Sequence, residues 1–145
     1  MSKIDDATRL RHMLETATLI QKFVKNKGFA ALEKEKMLSH ALMNLLSIIG
    51  EAASKISKPT QQQLPEIPWQ TIVGMRNRLI HAYFSIDLKI VWDTVTQDIP
   101  KLIPKLEKAL EINRLQERQK SQTESKVVKQ QISALKKSKK SEIER

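Results

Sequence analysis

The sequence predicts an all-α protein, a bundle of four or five helices, from three observations. Gly and Pro, at 3 and 5 of 145 residues, are too rare for a turn-rich β protein, and aromatic residues make up only 4%. Leu, Ile, Lys, Glu and Gln, which favour helices, are abundant. Apolar residues recur every three or four positions through most of the chain. With 40% apolar residues, the chain can bury a core.

The first half of the chain predicts two helices. One runs from about Asp5 to Lys25 and stops at residues 26–28, where Gly28 tolerates left-handed geometry. The second has a broad apolar face and runs from about Phe29 or Leu32 to Ile56. Residues 57–67, which include a run of three Gln, predict a polar connection after it.

Prolines and a cap delimit the later helices. Pro68 suits the first turn of a short third helix that reaches about Tyr83. Asp87 suits the cap of a fourth helix, and Pro100 and Pro104 should kink or restart that helix. The residues expected to face inward on it are Ile86, Ile90, Val91, Val95 and Ile99.

The net charge of +10 is concentrated at the end of the chain. Residues 119–145 carry seven Lys and one Arg against three Glu, a net charge of +5. We therefore predict a helical domain at residues 1–116 and a basic Lys/Ser/Gln-rich tail at residues 117–145, disordered or partly helical. The charge fits a polyanionic partner and fits a solubility appendage equally well.

Several classes of chemistry are excluded or disfavoured. The absence of Cys excludes disulfides, thiolate metal sites and cysteine nucleophiles. His12 and His40 lie on separate predicted helices without a second ligand one turn away, so we predict no metal and no cofactor. The charged residues among positions 1–14 and the short apolar runs predict a cytoplasmic protein without a membrane span.

The third predicted helix carries an unusual polar cluster. On a helical wheel Arg76 and Tyr83 fall on its apolar face, while Asn77 and His81 lie together at the edge of that face. An Arg on an apolar face must either be paired or open onto a cleft. One interpretation is structural, with Arg76 paired to a carboxylate such as Glu51 and His81 capping or packing.

The other interpretation is catalytic. Internal transesterification of RNA needs a base for the 2′-hydroxyl, an acid for the 5′-oxygen and cations around the transition state. One chain offers one His81 and one Arg76 for these roles. A two-fold dimer that pairs the third helices would supply two of each in one cleft.

The motif Arg76-x4-His81-x-Tyr83 resembles that of the HepT-like toxins of the HEPN-domain family. The match extends to Ile48-Ile49-Gly50-Glu51-Ala52-Ala53 and to the stretch from Pro65 to Trp92-Asp93, and covers about residues 3–112. The resemblance implies a dimeric helical bundle and a metal-independent endoribonuclease of a type VII-like toxin–antitoxin pair, acting on tRNA or mRNA in a cleft at the dimer interface. It also implies RNA and a minimal nucleotidyltransferase antitoxin, of the MntA type, as partners.

The resemblance implies a role for each motif residue. His81 would be the general base and acid, Arg76 the ligand of the phosphate and of the transition state, and Asn77 the residue that orients either the phosphate or His81. Tyr83 would be AMPylated by the antitoxin, which would put phosphate beside Arg76 and block the cleft; the alternative for Tyr83 is an amphipathic residue at an interface. Ser47 departs from the acidic residue expected there, which would weaken a pairing with the motif Arg.

Two other functions stay open. The chain could be a non-catalytic helical subunit that binds a nucleotidyltransferase or nucleic acid, but a scaffold would not need the complete Arg/Asn/His set. Alternatively, its basic tail could make it a general nucleic-acid binder. All three hypotheses expect a homodimer, so oligomeric state alone does not separate them.

Overall fold

A computed structural model describes residues 4–81 and 86–143, and all of their side chains except that of His81. Tyr83 lies outside the described residues. The described chain contains helices and connections and no strand, which confirms the all-α prediction. The helices are α1 (Asp6–Val24), α2 (Phe29–Lys34), α3 (Lys36–Lys55), α4 (Lys58–Gln63), α5 (Trp69–His81), α6 (Leu88–Asp93) and α7 (Ile99–Ile143), with a π-helical segment (Thr94–Asp98) between the last two.

The chain divides into two units, Met1–Leu110 and Glu111–Arg145. The first contains the core, in which α3 packs against both α1 and α5, and the π-helical segment packs against α1. Its largest fully buried side chains come from α1, α2, α3, α6, the π-helical segment and the start of α7: Leu10, Met13, Ile20, Leu32, Leu42, Val91, Val95 and Leu106. The predicted boundary at residues 116/117 stays a prediction.

Local signals at the ends of α1 agree with the prediction, with one correction. Asp5 caps the helix by accepting a hydrogen bond from the Thr8 amide at 2.7 Å. The left-handed residue that ends the helix is Asn26, with φ of 61°, whereas Gly28 has φ of −110° and precedes α2. Asn also tolerates this conformation, so the stop lies two residues earlier than Gly28.

The prediction of one helix from Phe29 to Ile56 was wrong, because the chain leaves helical geometry at Glu35. Lys27 binds the Glu35 carboxylate at 2.8 Å and ties this break to the turn after α1. The short helix α2 buries Leu32 and contacts both α3 and α6.

The prediction of a polar connection after this helix was also wrong in part, since residues 58–63 form α4. Ser57 caps this helix, and the carboxylate of Asp6 accepts hydrogen bonds from the hydroxyls of Ser57 and Thr60, each at 2.6 Å. Partial burial raises the pKa of Asp6, but these hydrogen bonds outweigh it and hold that pKa below its ordinary value. The partners are 51 and 54 positions apart in sequence, so no local pattern could reveal them.

The fourth predicted helix is correct at its start and differs at its centre. Asp87 caps α6 by accepting a hydrogen bond from the Lys89 amide at 2.9 Å. Ile90, which was expected to face inward, is 44% exposed. The π-helical segment ends at Asp98, two residues before Pro100, whose missing N–H and bulky ring disfavour ordinary α-helical bonding in the preceding turn. Pro104, by contrast, lies within α7.

The unit after Leu110 is helical as far as Ile143, the last described residue of α7. Apart from Asn113, its described side chains are exposed. No described helix combines the length and apolarity that crossing a membrane requires. Localisation in the cytoplasm stays a prediction.

Candidate functional site at the groove of α1, α3 and α5

Three helices of the first unit border a shallow groove of about 380 Å³. Polar, charged and apolar side chains line it, and two of the apolar ones, Ile48 and Ile80, are 41% and 47% exposed. The lining residues are Arg9 and His12 from α1, Ser47, Ile48, Glu51 and Ala52 from α3, and Arg76 and Ile80 from α5. The groove therefore contains part of the predicted cluster together with residues distant from it in sequence.

Arg76 is held in the groove by two neighbours. Its Nη2 lies 2.6 Å from Oε2 of Glu51, and its Nη1 donates to Oδ1 of Asn77 at 3.2 Å. The side chain is 27% exposed. An Arg on an apolar face was expected either to be paired or to open onto a cleft. The guanidinium of Arg76 does both, because it is paired with Glu51 and lines the groove.

Glu51 is a shared acceptor for two cations. Its second oxygen, Oε1, receives Nζ of Lys55 at 3.0 Å. The hydrogen bond from Lys55, together with the positive charges of Arg76 and Lys55, lowers the pKa of Glu51 despite some desolvation. The carboxylate is therefore ionised at neutral pH, and the Arg76 pair persists there.

Gly50 permits the close approach of α3 and α5 at this point. A Cβ at this position would overlap the Cβ of Arg76 and lie 3.2 Å from the carbonyl oxygen of Ile72. Gly50 itself is buried in the middle of α3, where a glycine otherwise weakens a helix. The glycine thus sets the distance at which Arg76 can pair with Glu51, the next residue along α3.

One donor of Arg76 is unused among the described residues. Its Nε is buried and has no hydrogen-bond partner there. Ser47, the position where an acidic residue was expected, donates instead to the carbonyl of Met43 at 3.0 Å. Although Ser47 has no carboxylate to offer, Arg76 is still paired, because Glu51 supplies a carboxylate one turn later on α3.

The other predicted site residues are only partly described. Asn77 is exposed and in contact with Arg76. His81 is the last residue of α5, five positions after Arg76, and its side chain is not among those that the structure describes. Tyr83 also lies outside the described residues. The structure therefore brings Arg76 and Asn77 together and leaves the placement of the other two side chains a prediction.

Sequence reasoning missed the contribution of α1 to the groove. Arg9 and His12 are spaced three residues apart, which places them on one face of a helix, and this spacing was the available signal. His12 is exposed on the groove wall. His40, by contrast, has Nδ1 at 2.7 Å from the carbonyl of Lys36 on its own helix, away from the groove lining.

Within residues 4–81 and 86–143, no three His, Asp or Glu side chains converge in a way that could hold a metal ion. What the described groove offers chemically is a cationic pocket for an anion. Arg9 and Arg76 supply positive charge, and Glu51 fixes the second of them. Such a fixed guanidinium recognises phosphate oxygens well.

Comparison with known proteins agrees with the family that the sequence resembles. Residues 13–109 match the family model described as "Ribonuclease HepT-like". The chain is 37% identical over 107 residues to "Putative RNase MJ1380" of Methanocaldococcus jannaschii, covering 74% of this chain and 98% of that protein. It is 39% identical over 99 residues to "Probable ribonuclease HepT" of Thermococcus cleftensis, covering 68% and 90%.

A third relative is "Putative RNase TTE0752" of Caldanaerobacter subterraneus, 33% identical over 102 residues, covering 70% of this chain and 91% of that protein. No solved structure matches the chain significantly. The matched region ends at about the place where the first structural unit ends, at Leu110. The chain belongs to the HepT-like ribonuclease family of HEPN domains.

Proposed function

We propose that the protein is a metal-independent endoribonuclease that cleaves RNA by internal transesterification and acts as the toxin of a toxin–antitoxin pair. The single observation that carries the proposal is the guanidinium of Arg76, held at a groove by Glu51 and Asn77 on the helix that ends at His81. Family membership and the names of the relatives support RNA as the substrate.

In the proposed reaction His81 removes the proton of a ribose 2′-hydroxyl, and the 2′-oxygen attacks the adjacent phosphorus. The bond from phosphorus to the 5′-oxygen breaks, and an imidazolium returns a proton to that oxygen. The products are a 2′,3′-cyclic phosphate and a free 5′-hydroxyl. Arg76 stabilises the charge that grows on the phosphate oxygens, and Asn77 orients the phosphate or His81.

The base and the acid must be different groups, or one group in two protonation states. A homodimer that joins two grooves supplies two copies of His81 and Arg76 for these roles. The exposure of Ile48 and Ile80 beside the groove supports such an interface, because large apolar side chains favour burial. Light scattering should show that Ile80→Glu is a monomer, and this variant should not cleave RNA. Ile90→Glu changes a residue of similar exposure outside the groove lining and should affect neither property.

Cleavage of bulk tRNA in EDTA tests the catalytic proposal. The protein is made without a nucleotidyltransferase, so that Tyr83 is unmodified. The wild type should cut, and His81→Ala and Arg76→Ala should not, although both should keep the helical fold. The matched control is Arg78→Ala, which removes an exposed arginine two positions along the same helix and should cut normally.

Each outcome has a distinct meaning. Retained cleavage in both His81→Ala and Arg76→Ala would overturn the catalytic assignment. Absence of cleavage by the wild type on tRNA and on mRNA would favour the alternative, a non-catalytic helical subunit that binds a nucleotidyltransferase or nucleic acid. Products that carry a 3′-phosphate or a 2′,3′-cyclic phosphate would support transesterification, since hydrolysis with a 3′-hydroxyl product needs another nucleophile.

We also propose that a minimal nucleotidyltransferase neutralises the protein by AMPylation of Tyr83. The phenol oxygen attacks the α-phosphorus of ATP, pyrophosphate leaves, and the phenol proton is lost. An adenylate two residues after His81 would place negative charge next to the motif and compete with RNA for Arg76. Mass spectrometry should detect the adenylate on the wild type and not on Tyr83→Phe; if Tyr83→Phe is modified equally, the assignment of the site fails.

A further inference from the structure

Five of the seven lysines of the helical segment 119–143 fall on one face of the helix. At about 100° per residue, Lys126, Lys129, Lys136, Lys137 and Lys140 fall within an arc of about 100°. Glu124 and Glu142, the acidic residues described in this segment, fall on the opposite side of the helix. Every one of these side chains is exposed. We call the five lysines the basic face.

The basic face is long enough for several contacts with a polyanion. From Lys126 to Lys140 it extends about 21 Å along the helix axis at 1.5 Å per residue. Ser133, the other side chain in the same arc between Lys126 and Lys140, is polar and uncharged, as are Gln119 and Gln122 before it. Lysines that face the same way without acidic neighbours are available to phosphates, because no ion pair competes for them among the described residues.

We propose that the basic face is a second RNA-binding surface, which holds the backbone of the RNA that the first unit cleaves. The inference rests on the proposed function for its choice of polyanion. It adds a site outside residues 13–109, the part of the chain that matches the family. Charge complementarity carries the proposal, since seven Lys against two Glu in residues 119–143 suit a phosphate backbone.

An anionic membrane surface is the competing partner for a basic amphipathic helix. Its apolar stripe, however, is narrow and contains no aromatic residue: Val128, Ile132 and Leu135. Helices that lie in the membrane interface use a larger apolar face with Trp, Phe or Leu. The residues therefore favour RNA, and vesicle binding becomes an outcome of the test.

The chain offers a control matched in residue type and charge. Lys129→Gln/Lys140→Gln removes two charges from the basic face, and Lys120→Gln/Lys139→Gln removes two charges from outside it. Lys and Gln have similar helix propensities, so both variants should keep the helix, which circular dichroism checks. If the tail acts only through net charge, the two variants must behave alike.

The probe is a single-stranded 20-nucleotide RNA in which every 2′-hydroxyl is methylated. The methyl group blocks the nucleophile, so binding is measured without cleavage and the result does not depend on His81. Affinity is measured for the full chain and both variants by fluorescence anisotropy over a series of salt concentrations. Each lost phosphate contact should lower the slope of log affinity against log salt by about 0.7 for a single strand.

The expected result is a slope reduced by about 1.4 for Lys129→Gln/Lys140→Gln and little changed for Lys120→Gln/Lys139→Gln. Equal effects of the two variants, or no effect of either, would overturn the basic face as an RNA-binding surface. So would binding of phosphatidylserine vesicles that depends on Lys129 and Lys140 while RNA affinity does not. If the wild type does not cleave RNA but the two variants differ in RNA binding as expected, only the nuclease proposal is refuted.

Discussion

Gly50→Ala is the substitution whose effect follows most directly from the structure. Gly50 is buried in α3, and the added methyl group would occupy the space of the Cβ of Arg76 on α5. Both atoms belong to rigid parts of the chain, so the contact cannot be relieved by rotating a side chain. The two helices must move apart, or α5 must shift along α3 and carry Arg76 away from Glu51.

The magnitude results from two opposing effects. Alanine favours a helix interior over glycine by about 1 kcal/mol. Inserting a methyl group into a packed interface costs about 1–3 kcal/mol, and more where backbone must move. Overlap with a Cβ and close approach to the backbone oxygen of Ile72 place Gly50 at the upper end of that range. We therefore expect a net loss of about 2 kcal/mol in the free energy of unfolding.

Gly74→Ala is the matched control, because Gly74 is also in a helix interior and a Cβ there would meet no atom within 4 Å. It should stabilise the protein by about 0.5–1 kcal/mol through helix propensity. Urea unfolding followed by circular dichroism measures both variants. If Gly50→Ala is as stable as the wild type and also cleaves RNA normally, the close approach of α3 and α5 is wrong. If it loses RNA cleavage while Gly74→Ala does not, the shift of Arg76 is the cause.

Three further substitutions test other contacts. Glu51→Gln should change the free energy of unfolding by less than about 1 kcal/mol, because both side chains of the ion pair are partly exposed. It should nevertheless lower the rate of RNA cleavage by roughly tenfold to a hundredfold, because Arg76 is then misplaced. Asp6→Asn should lower the free energy of unfolding by about 1–2 kcal/mol at neutral pH, as measured by urea unfolding. Since the folded-state pKa of Asp6 is below its ordinary value, this difference should disappear as pH falls through that pKa. Leu106→Ala should lower the free energy of unfolding by about 2–5 kcal/mol in the same assay, because Leu106 is fully buried. Leu135 is exposed, so Leu135→Ala should leave the free energy of unfolding nearly unchanged. Equal losses in the two variants would contradict the burial of the start of α7.

The features that sequence predicted correctly are those encoded locally. The caps Asp5 and Asp87 lie within three residues of the amides that they accept from, and the apolar spacing of α1 and α3 is continuous. Such signals need no knowledge of what packs against the segment.

The features that sequence missed depend on distant residues. Helix α4 has no apolar periodicity, and it is tied to the bundle by Asp6, more than 50 positions away. The break at Glu35 is held by Lys27 across a turn. The α1 wall of the groove, with His12, meets Arg76 only after the chain has folded. Tertiary contacts decided each of these, as they often override local propensity.

The pairing of Arg76 with Glu51 does not argue against a catalytic role. At 27% and 42% exposure the two side chains are partly hydrated, so the pair contributes little to stability and is not needed to satisfy a fully buried charge. A weakly stabilising pair that requires a buried glycine beside it is better explained by the position it gives the guanidinium. The structural and catalytic interpretations therefore make different predictions for Glu51→Gln. A purely structural pair would change unfolding and leave cleavage intact, whereas a positioning pair would change cleavage far more than unfolding.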